Sequence, residues 1–259
     1  MWPSPSMTKS EFLKQTRLYF WKKDFEEVEV PYLNSSLPLE PNLYSFKTIW
    51  QHTQANFYLP ASPELALKRH LATHQNNCFA IGHCFRDLET TGPHHTPEFL
   101  MLEWYEVGKN YQDLTKSVEK YINQFFNFSI PFKIITLPSH LPDNEPDFNQ
   151  YFLNNIENHL PQDPVFIIGY PSFLAPLAQP NQRFELYIQG IEIANGCTEN
   201  RDSNSIIASF KQEATYRQTN NLPSHPYSEE FARISAKIPP LAGVGLGLDR
   251  LFQLICSQI

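Results

Sequence analysis

Gly243, Gly245 and Gly247 alternate with Val244, Leu246 and Leu248, and Asp249 and Arg250 follow directly. Glycine at every second position strips the side chains from one face of a strand, so a ligand can approach that face closely. The spacing is not G-x-G-x-x-G and no Lys-Ser or Lys-Thr follows it, so neither a dinucleotide loop nor a P-loop is supported. Two acids, Glu185 and Glu192, interrupt the apolar runs Phe184 to Tyr187 and Ile191 to Ala194. A carboxylate placed there needs a cationic partner, because an unpaired buried charge is strongly destabilising. His94 and His95 are a poor metal pair, since adjacent side chains on a strand diverge. Cys78, Cys84, Cys197 and Cys256 lie far apart without a C-x-x-C pair, which fits reduced thiols better than zinc or disulfides.

The elements that must carry these groups are legible in outline. Thr8-x-x-Glu11 is a capping box before an apolar stripe, which predicts a helix over 8–23. A strand over 25–30 follows and stops at Pro31. Residues 57–59 form a short strand, and Ser62-Pro63-Glu64 opens a helix with a hydroxyl cap and a first-turn proline, leaving Glu64 near the helix start. Residues 78–86 and 99–107 flank a polar loop as a long hairpin, and 111–127 is an amphipathic helix. The Pro-rich stretch 128–180 predicts only helical pieces and connections. Two strands span 184–194 around Gln189-Gly190, helices span 203–220 and 224–237, and strand 243–248 enters helix 249–256. Strands following strands with helices grouped between them predict an α+β class with an antiparallel sheet.

With 259 residues, 41% of them hydrophobic and 14% aromatic, the chain can bury one large core, expected to be a single domain over 1–259. No apolar run reaches eighteen residues and the first ten carry no secretory pattern, so the expected address is the cytoplasm, with no membrane partner. A net charge of -7 opposes a broad phosphate-gripping surface, although a local basic face for tRNA remains compatible with it.

Three segments, in order, resemble the motifs of class II aminoacyl-tRNA synthetases, most closely the lysyl-tRNA synthetase-like branch. Phe25-Glu26-Glu27-Val28-Glu29-Val30-Pro31 is similar to the first, which usually builds a homodimer interface. The second is matched by Cys84-Phe85-Arg86-Asp87-Leu88-Glu89 and by Thr96-Pro97-Glu98-Phe99-Leu100-Met101-Leu102-Glu103-Trp104-Tyr105. Gly243 to Leu251 is similar to the third. The resemblance implies a class II-type antiparallel sheet flanked by helices, and activation of an amino acid by ATP with Mg²⁺. It assigns Arg86 to the substrate carboxylate and α-phosphate and Arg250 to the γ-phosphate, roles that suit forked guanidinium donors. Phe99 would stack on adenine, with Asp87, Glu89, His95, Thr96, Leu186 and Gly247 around the nucleotide. Glu185 and Glu192 would face Mg²⁺ and the reacting centre.

The same resemblance implies a diamine substrate. Glu103, Tyr105 and Glu199 would bind the distal ammonium, Ser62, Pro63 and Glu64 the ammonium near the carboxylate, and Asn195 the carboxylate. Only about seven residues precede the first expected helix, too few for the N-terminal OB-fold with which lysyl-tRNA synthetases grip the anticodon. A freestanding core resembles the elongation factor P lysine ligase family, also called (R)-β-lysine ligases. Lysine or (R)-β-lysine would then pass from an adenylate to a lysine side chain of elongation factor P. Two departures bear on this: the second motif's loop is about one residue longer, shifting Leu88 against Glu89, and Gly245 stands where the family can have alanine. A core that aminoacylates tRNA shares every activation residue, and a non-catalytic regulatory paralogue is the third reading.

Overall fold

A computed structural model describes residues 7–41, 43–88, 92, 96–126 and 131–257. Its first element forms as the capping box predicts: Thr8 Oγ1 accepts from the Glu11 amide at 3.2 Å, and α1 (Lys9–Trp21) follows. Phe12 and Phe20 on its inner face are buried, the latter stacked on Phe79 with ring centroids 4.8 Å apart.

The strands are β1 (Glu26–Glu27), β2 (Lys47–Trp50), β3 (Ala55–Tyr58), β4 (Cys78–Phe85), β5 (Glu98–Val107), β6 (Lys133–Thr136), β7 (Val165–Ile168), β8 (Ala178–Ile188), β9 (Ile191–Glu199) and β10 (Leu241–Gly247). Eight of them form one sheet in the order β1-β4-β5-β10-β9-β8-β7-β6, and β2 and β3 pair separately. Only the outermost pairs, β1 with β4 and β6 with β7, are parallel. The helices are α2 (Glu64–His74), α3 (Tyr111–Ile122), α4 (Glu145–Asn155), α5 (Ser203–Thr219), α6 (Glu229–Ser235) and α7 (Leu248–Ser257). The α+β class and the antiparallel centre of the sheet agree with the sequence reading. One apolar layer packs α1, α3 and α7 on one sheet face: Phe12, Phe20, Val118, Tyr121, Leu251 and Leu254 meet Leu102, Trp104, Val244 and Leu246.

Several local expectations change. The strand over 25–30 contracts to Glu26–Glu27, although Val28 N still donates to Phe79 O at 2.8 Å and Val28 and Val30 pack inward. Ser62 is not the helix cap. Pro63 holds that position with helical dihedrals and no side-chain cap bond, while Ser62 Oγ accepts only a long 3.4 Å bond from Glu64 N. The stretch 128–180 contains β6, β7 and the start of β8, which the sequence reading missed. Val165-Phe166-Ile167-Ile168 has no alternation to betray a strand because Val165, Phe166 and Ile167 are all buried, on two faces of the sheet. The helix expected over 224–237 is only the seven residues of α6, capped by Ser228.

A helical layer over the other sheet face holds residues 37–41 and 43 in place. Arg217 on α5 donates to Glu40 O and Leu43 O, and His225 Nε2 lies 2.8 Å from Pro38 O, which makes that nitrogen the donor. Burial, reinforced by the Arg217 charge, pushes the His225 imidazole down to about 4. Its folded-state value therefore lies below its unfolded one: the neutral ring contributes fully above about pH 6.5, and the contribution is lost as pH falls towards 4. His225→Gln keeps a donor for Pro38 O and should remove a loss on the order of 2 kcal/mol over that window, measured by urea unfolding at several pH values. An unchanged slope in the variant would refute this account.

Candidate active site

Four neighbouring strands bring the candidate residues into register. Glu103 on β5 lies opposite Gly245 on β10, Gly245 opposite Asn195 on β9, and Asn195 opposite Glu185 on β8. A second row runs Tyr105, Gly243, Cys197, Arg183. The intervening residues Leu102, Trp104, Val244, Leu246, Ala194 and Leu186 enter the core on the other face. Charged walls on β5 and β8/β9 thus flank a glycine floor on β10, and together they enclose a cavity of about 480 Å³. Ser62, Glu64, Arg86, Thr96, Phe99, Glu103, Tyr105, Glu185, Glu192, Asn195, Glu199, Gly245, Gly247 and Arg250 all line it.

Strict alternation cannot put both Glu192 and Asn195 on this face, because their numbers differ in parity. The register supplies the reason: Leu186 pairs with Ala194, yet Tyr187 pairs with Glu192, so β9 carries an extra residue. A bulge of this kind re-aims a side chain, and here it turns Glu192 towards the cavity.

At one end the cavity is acidic. Glu103 is 5% exposed and accepts a 2.7 Å bond from the Tyr105 hydroxyl. Burial, then the Glu64 charge, raises the Glu103 carboxyl well above its usual range, and burial with the Glu103 charge does the same to the Tyr105 phenol. Lys68, fully buried on α2, lies 2.5 Å from Glu64 Oε1 and 2.7 Å from Glu199 Oε2.

At the other end, acids and arginines are paired. Arg183 and Glu185 form a very close ion pair, and Glu185 also accepts from the Tyr170 and Tyr187 hydroxyls. Arg250, aimed by the first turn of α7, donates to Glu192 O at 2.9 Å and lies 3.7 Å from its carboxylate. Burial and the Glu185 charge raise the Glu192 carboxyl to about 7. Arg86 lies between the two ends, 4.0 Å from Glu40 and with its guanidinium 4.9 Å from the Phe99 ring centroid. Among the described residues its Nε has no hydrogen-bond partner, leaving a buried donor available to an anion.

Three predicted residues are described but do not line the cavity. Leu186 is fully buried in the core, Pro63 caps α2, and Asp87 pairs through its backbone with Tyr44 outside the cavity. Glu89 and His95 lie outside the described residues. Sequence reasoning missed Lys68, Arg183 and Glu40. Lys68 falls one helical turn after Glu64, and that i, i+4 spacing was the available signal.

The chain matches the family described as tRNA synthetases class II (D, K and N) over residues 5–259. It is 30% identical over 294 aligned positions to an elongation factor P (R)-β-lysine ligase of Buchnera aphidicola subsp. Acyrthosiphon pisum, covering 96% of this chain and 90% of that protein. A homologue of such a ligase from Aquifex aeolicus is 31% identical over 282 positions, with 95% and 94% covered. The lysine–tRNA ligase of Nitrosomonas europaea is 28% identical over 305 positions, spanning 96% of this chain but 60% of its own length. The chain belongs to the class II synthetase family, on the branch of the elongation factor P (R)-β-lysine ligases. Membership makes it an enzyme of the ligase class.

Within this class II site the floor glycines are not equivalent. A Cβ on Gly243 would lie 2.2 Å from the Tyr105 ring, whereas one on Gly245 would meet only the end of the Met101 side chain, with Sδ at 3.4 Å. Gly243→Ala should therefore displace Tyr105 from Glu103 and cost about 1–3 kcal/mol. Gly245→Ala should stay within about 0.5 kcal/mol of the parent protein. Thermal unfolding of both variants checks this, and equal losses would contradict it.

Proposed function

We propose that the chain activates lysine or (R)-β-lysine with ATP and transfers it to a lysine side chain of elongation factor P. A carboxylate oxygen of the amino acid attacks the α-phosphorus and pyrophosphate leaves. The acceptor ε-amine then attacks the acyl carbon of the adenylate, AMP leaves with the C–O electron pair, and the nitrogen sheds a proton to give an amide. The observation that carries this reading is the convergence of Arg86, Glu103, Glu192, Glu199 and Arg250 around one cavity, with Glu103 and Glu199 at one end, Glu192 and Arg250 at the other and Arg86 between them. A diamine with a carboxylate fits that order: ammonium groups at Glu103, Glu199 and Glu64, the carboxylate at Asn195 and Arg86, and phosphates between Arg86 and Arg250. Phe99, Thr96 and Gly247 would border the nucleotide.

Glu185 and Glu192 suit a hard divalent ion held largely by phosphate oxygens. Repulsion from Glu185 helps keep the Glu192 carboxyl up near 7, a conflict that a cation between them would relieve. Glu185 already accepts from Arg183, Tyr170 and Tyr187, so Glu192 is the freer ligand. Bound there, Mg²⁺ would offset charge on the phosphates. Homodimerisation belongs to the same proposal. Tyr32 and Leu33, just after the first motif, are 52% and 56% exposed and would be covered by a second copy. So does a cytoplasmic address; no helix among the described residues is long and apolar enough to cross a membrane.

The lysine–tRNA ligase match favours a second reading, in which the acceptor is a tRNA. Incubation with ATP, labelled α- or β-lysine and either elongation factor P or total tRNA separates the two, and label on tRNA alone would overturn the first. Pyrophosphate exchange should depend on lysine and fall at least about 100-fold in Arg86→Ala, as loss of a transition-state cation requires. No exchange with any lysine isomer would favour a non-catalytic binding protein.

A further inference from the structure

The ion pairs around the cavity are distributed unevenly. Glu40 has Arg86, Glu185 has Arg183 and Glu192 has Arg250. At the acidic end, by contrast, the three carboxylates Glu64, Glu103 and Glu199 have one paired cation among the described residues, Lys68, which lies against Glu64 and Glu199. Glu103 is paired with no cation among the described residues and takes only the Tyr105 hydroxyl bond. Three carboxylates and one ammonium leave two negative charges, the number that two substrate ammonium groups would neutralise. Lys68 itself has no solvent exposure and no freedom to leave: its ammonium also lies 4.9 Å above the Phe231 ring centroid, and α2 holds it one turn from Glu64.

We propose that Lys68 is the specificity-setting counter-ion of this pocket: it removes one unit of negative charge so that the site is matched to a molecule with two ammonium groups. This rests on the diamine reading of the cavity given above. Lys68 acts through the glutamates and is a positioning residue, touching Glu64 and Glu199 where substrate ammonium groups would sit on their other oxygens. Without it, three uncompensated acids would be crowded in a desolvated space, and one would take up a proton to restore the balance. Substrate binding would then be coupled to that proton. The other ionisable groups facing these acids are Glu40 and Arg86, the Tyr105 hydroxyl and the thiols of Cys78, Cys84 and Cys197. Burial raises the phenol and all three thiols, so they stay neutral through neutral pH and leave the charge balance to the carboxylates and Lys68.

The test is lysine-dependent pyrophosphate exchange on the full chain from pH 6.5 to 8.5, with the ATP concentration saturating. The parent protein sets the reference profile of KM for lysine against pH. Lys68→Met, similar in length and uncharged, should raise that KM by about tenfold or more at pH 6.5, where the proton taken up by the acids competes with the substrate ammonium groups, and progressively less towards pH 8.5, while the KM for ATP stays unchanged. Lys68→Arg should keep the parent's profile. Lys68→Met/Glu64→Gln returns the pocket to two negative charges; its KM is higher for want of a contact, but its profile should again follow the parent's, and it serves should the single variant fail to fold. A folded Lys68→Met with the parent's KM and profile would overturn the proposal, as would a pH dependence beyond the parent's that persists in the double variant. Absence of exchange in the parent protein would instead remove the activity reading, and this inference with it, before any variant is compared.

Discussion

A carboxylate taken out of water demands a positive partner, and the cavity side of this sheet carries four, Glu103, Glu185, Glu192 and Glu199. The molecule's response is geometric. Strand register sets Glu103, Asn195 and Glu185 in one row, and the glycine of β10 between them leaves room for a ligand to lie against backbone. The opposite face of the same strands is apolar at its centre, with Leu102, Trp104, Val244, Leu246 and Leu186 sealing it against α1, α3 and α7. That apolar layer is what fixes the register, because a slip by one residue would carry the glutamates into the core.

Two devices refine this plan at the points where a plain sheet would fail. The extra residue on β9 turns Glu192 to the cavity without moving Asn195 or Cys197 off it. The turn into α7 places Asp249 and Arg250 at the end of the glycine strand: Asp249 accepts from Leu100 N at 2.7 Å, tying the helix start to β5, and Arg250 reaches Glu192. Arg250 is thus held between β5 and β9 by backbone contacts on either side, which fixes its direction better than an exposed side chain could.

How much of this was legible depended on whether a residue's role was written locally. The alternating glycines, the Thr8 cap, the 78–107 hairpin and the acids interrupting β8 and β9 each carry their signal within a few positions, and each was read. Strands β6 and β7 carry none: the first is short and the second is apolar at every residue, so no period of two appears. Residues 37–41 and 43 lack regular structure, and their place beside the cavity comes from Arg217 and His225, more than 170 positions away. Lys68 was overlooked for a different reason. A lysine amid helix-forming residues reads as a solvated side chain, and only the tertiary approach of Glu199 from β9 makes it the most enclosed charge in the site.

The same electrostatics also separates two questions that family membership tends to merge. The charge pattern of the cavity bears on which amino acid can be activated, because a side chain without an ammonium would leave Glu103 desolvated and unpaired, and one with a carboxylate would add repulsion. It does not bear on the acceptor. An elongation factor P ligase and a lysine–tRNA ligase both align with nearly all of this chain, at 30% and 28% identity. What distinguishes acceptors must therefore lie on surfaces outside the acidic pocket, where an incoming amine or ribose hydroxyl meets the acyl carbon. With a net charge of -7 the chain has little general attraction for polyphosphate, so a tRNA-sized acceptor would depend on local contacts, whereas a lysine ε-ammonium is drawn by the charge of the protein as a whole.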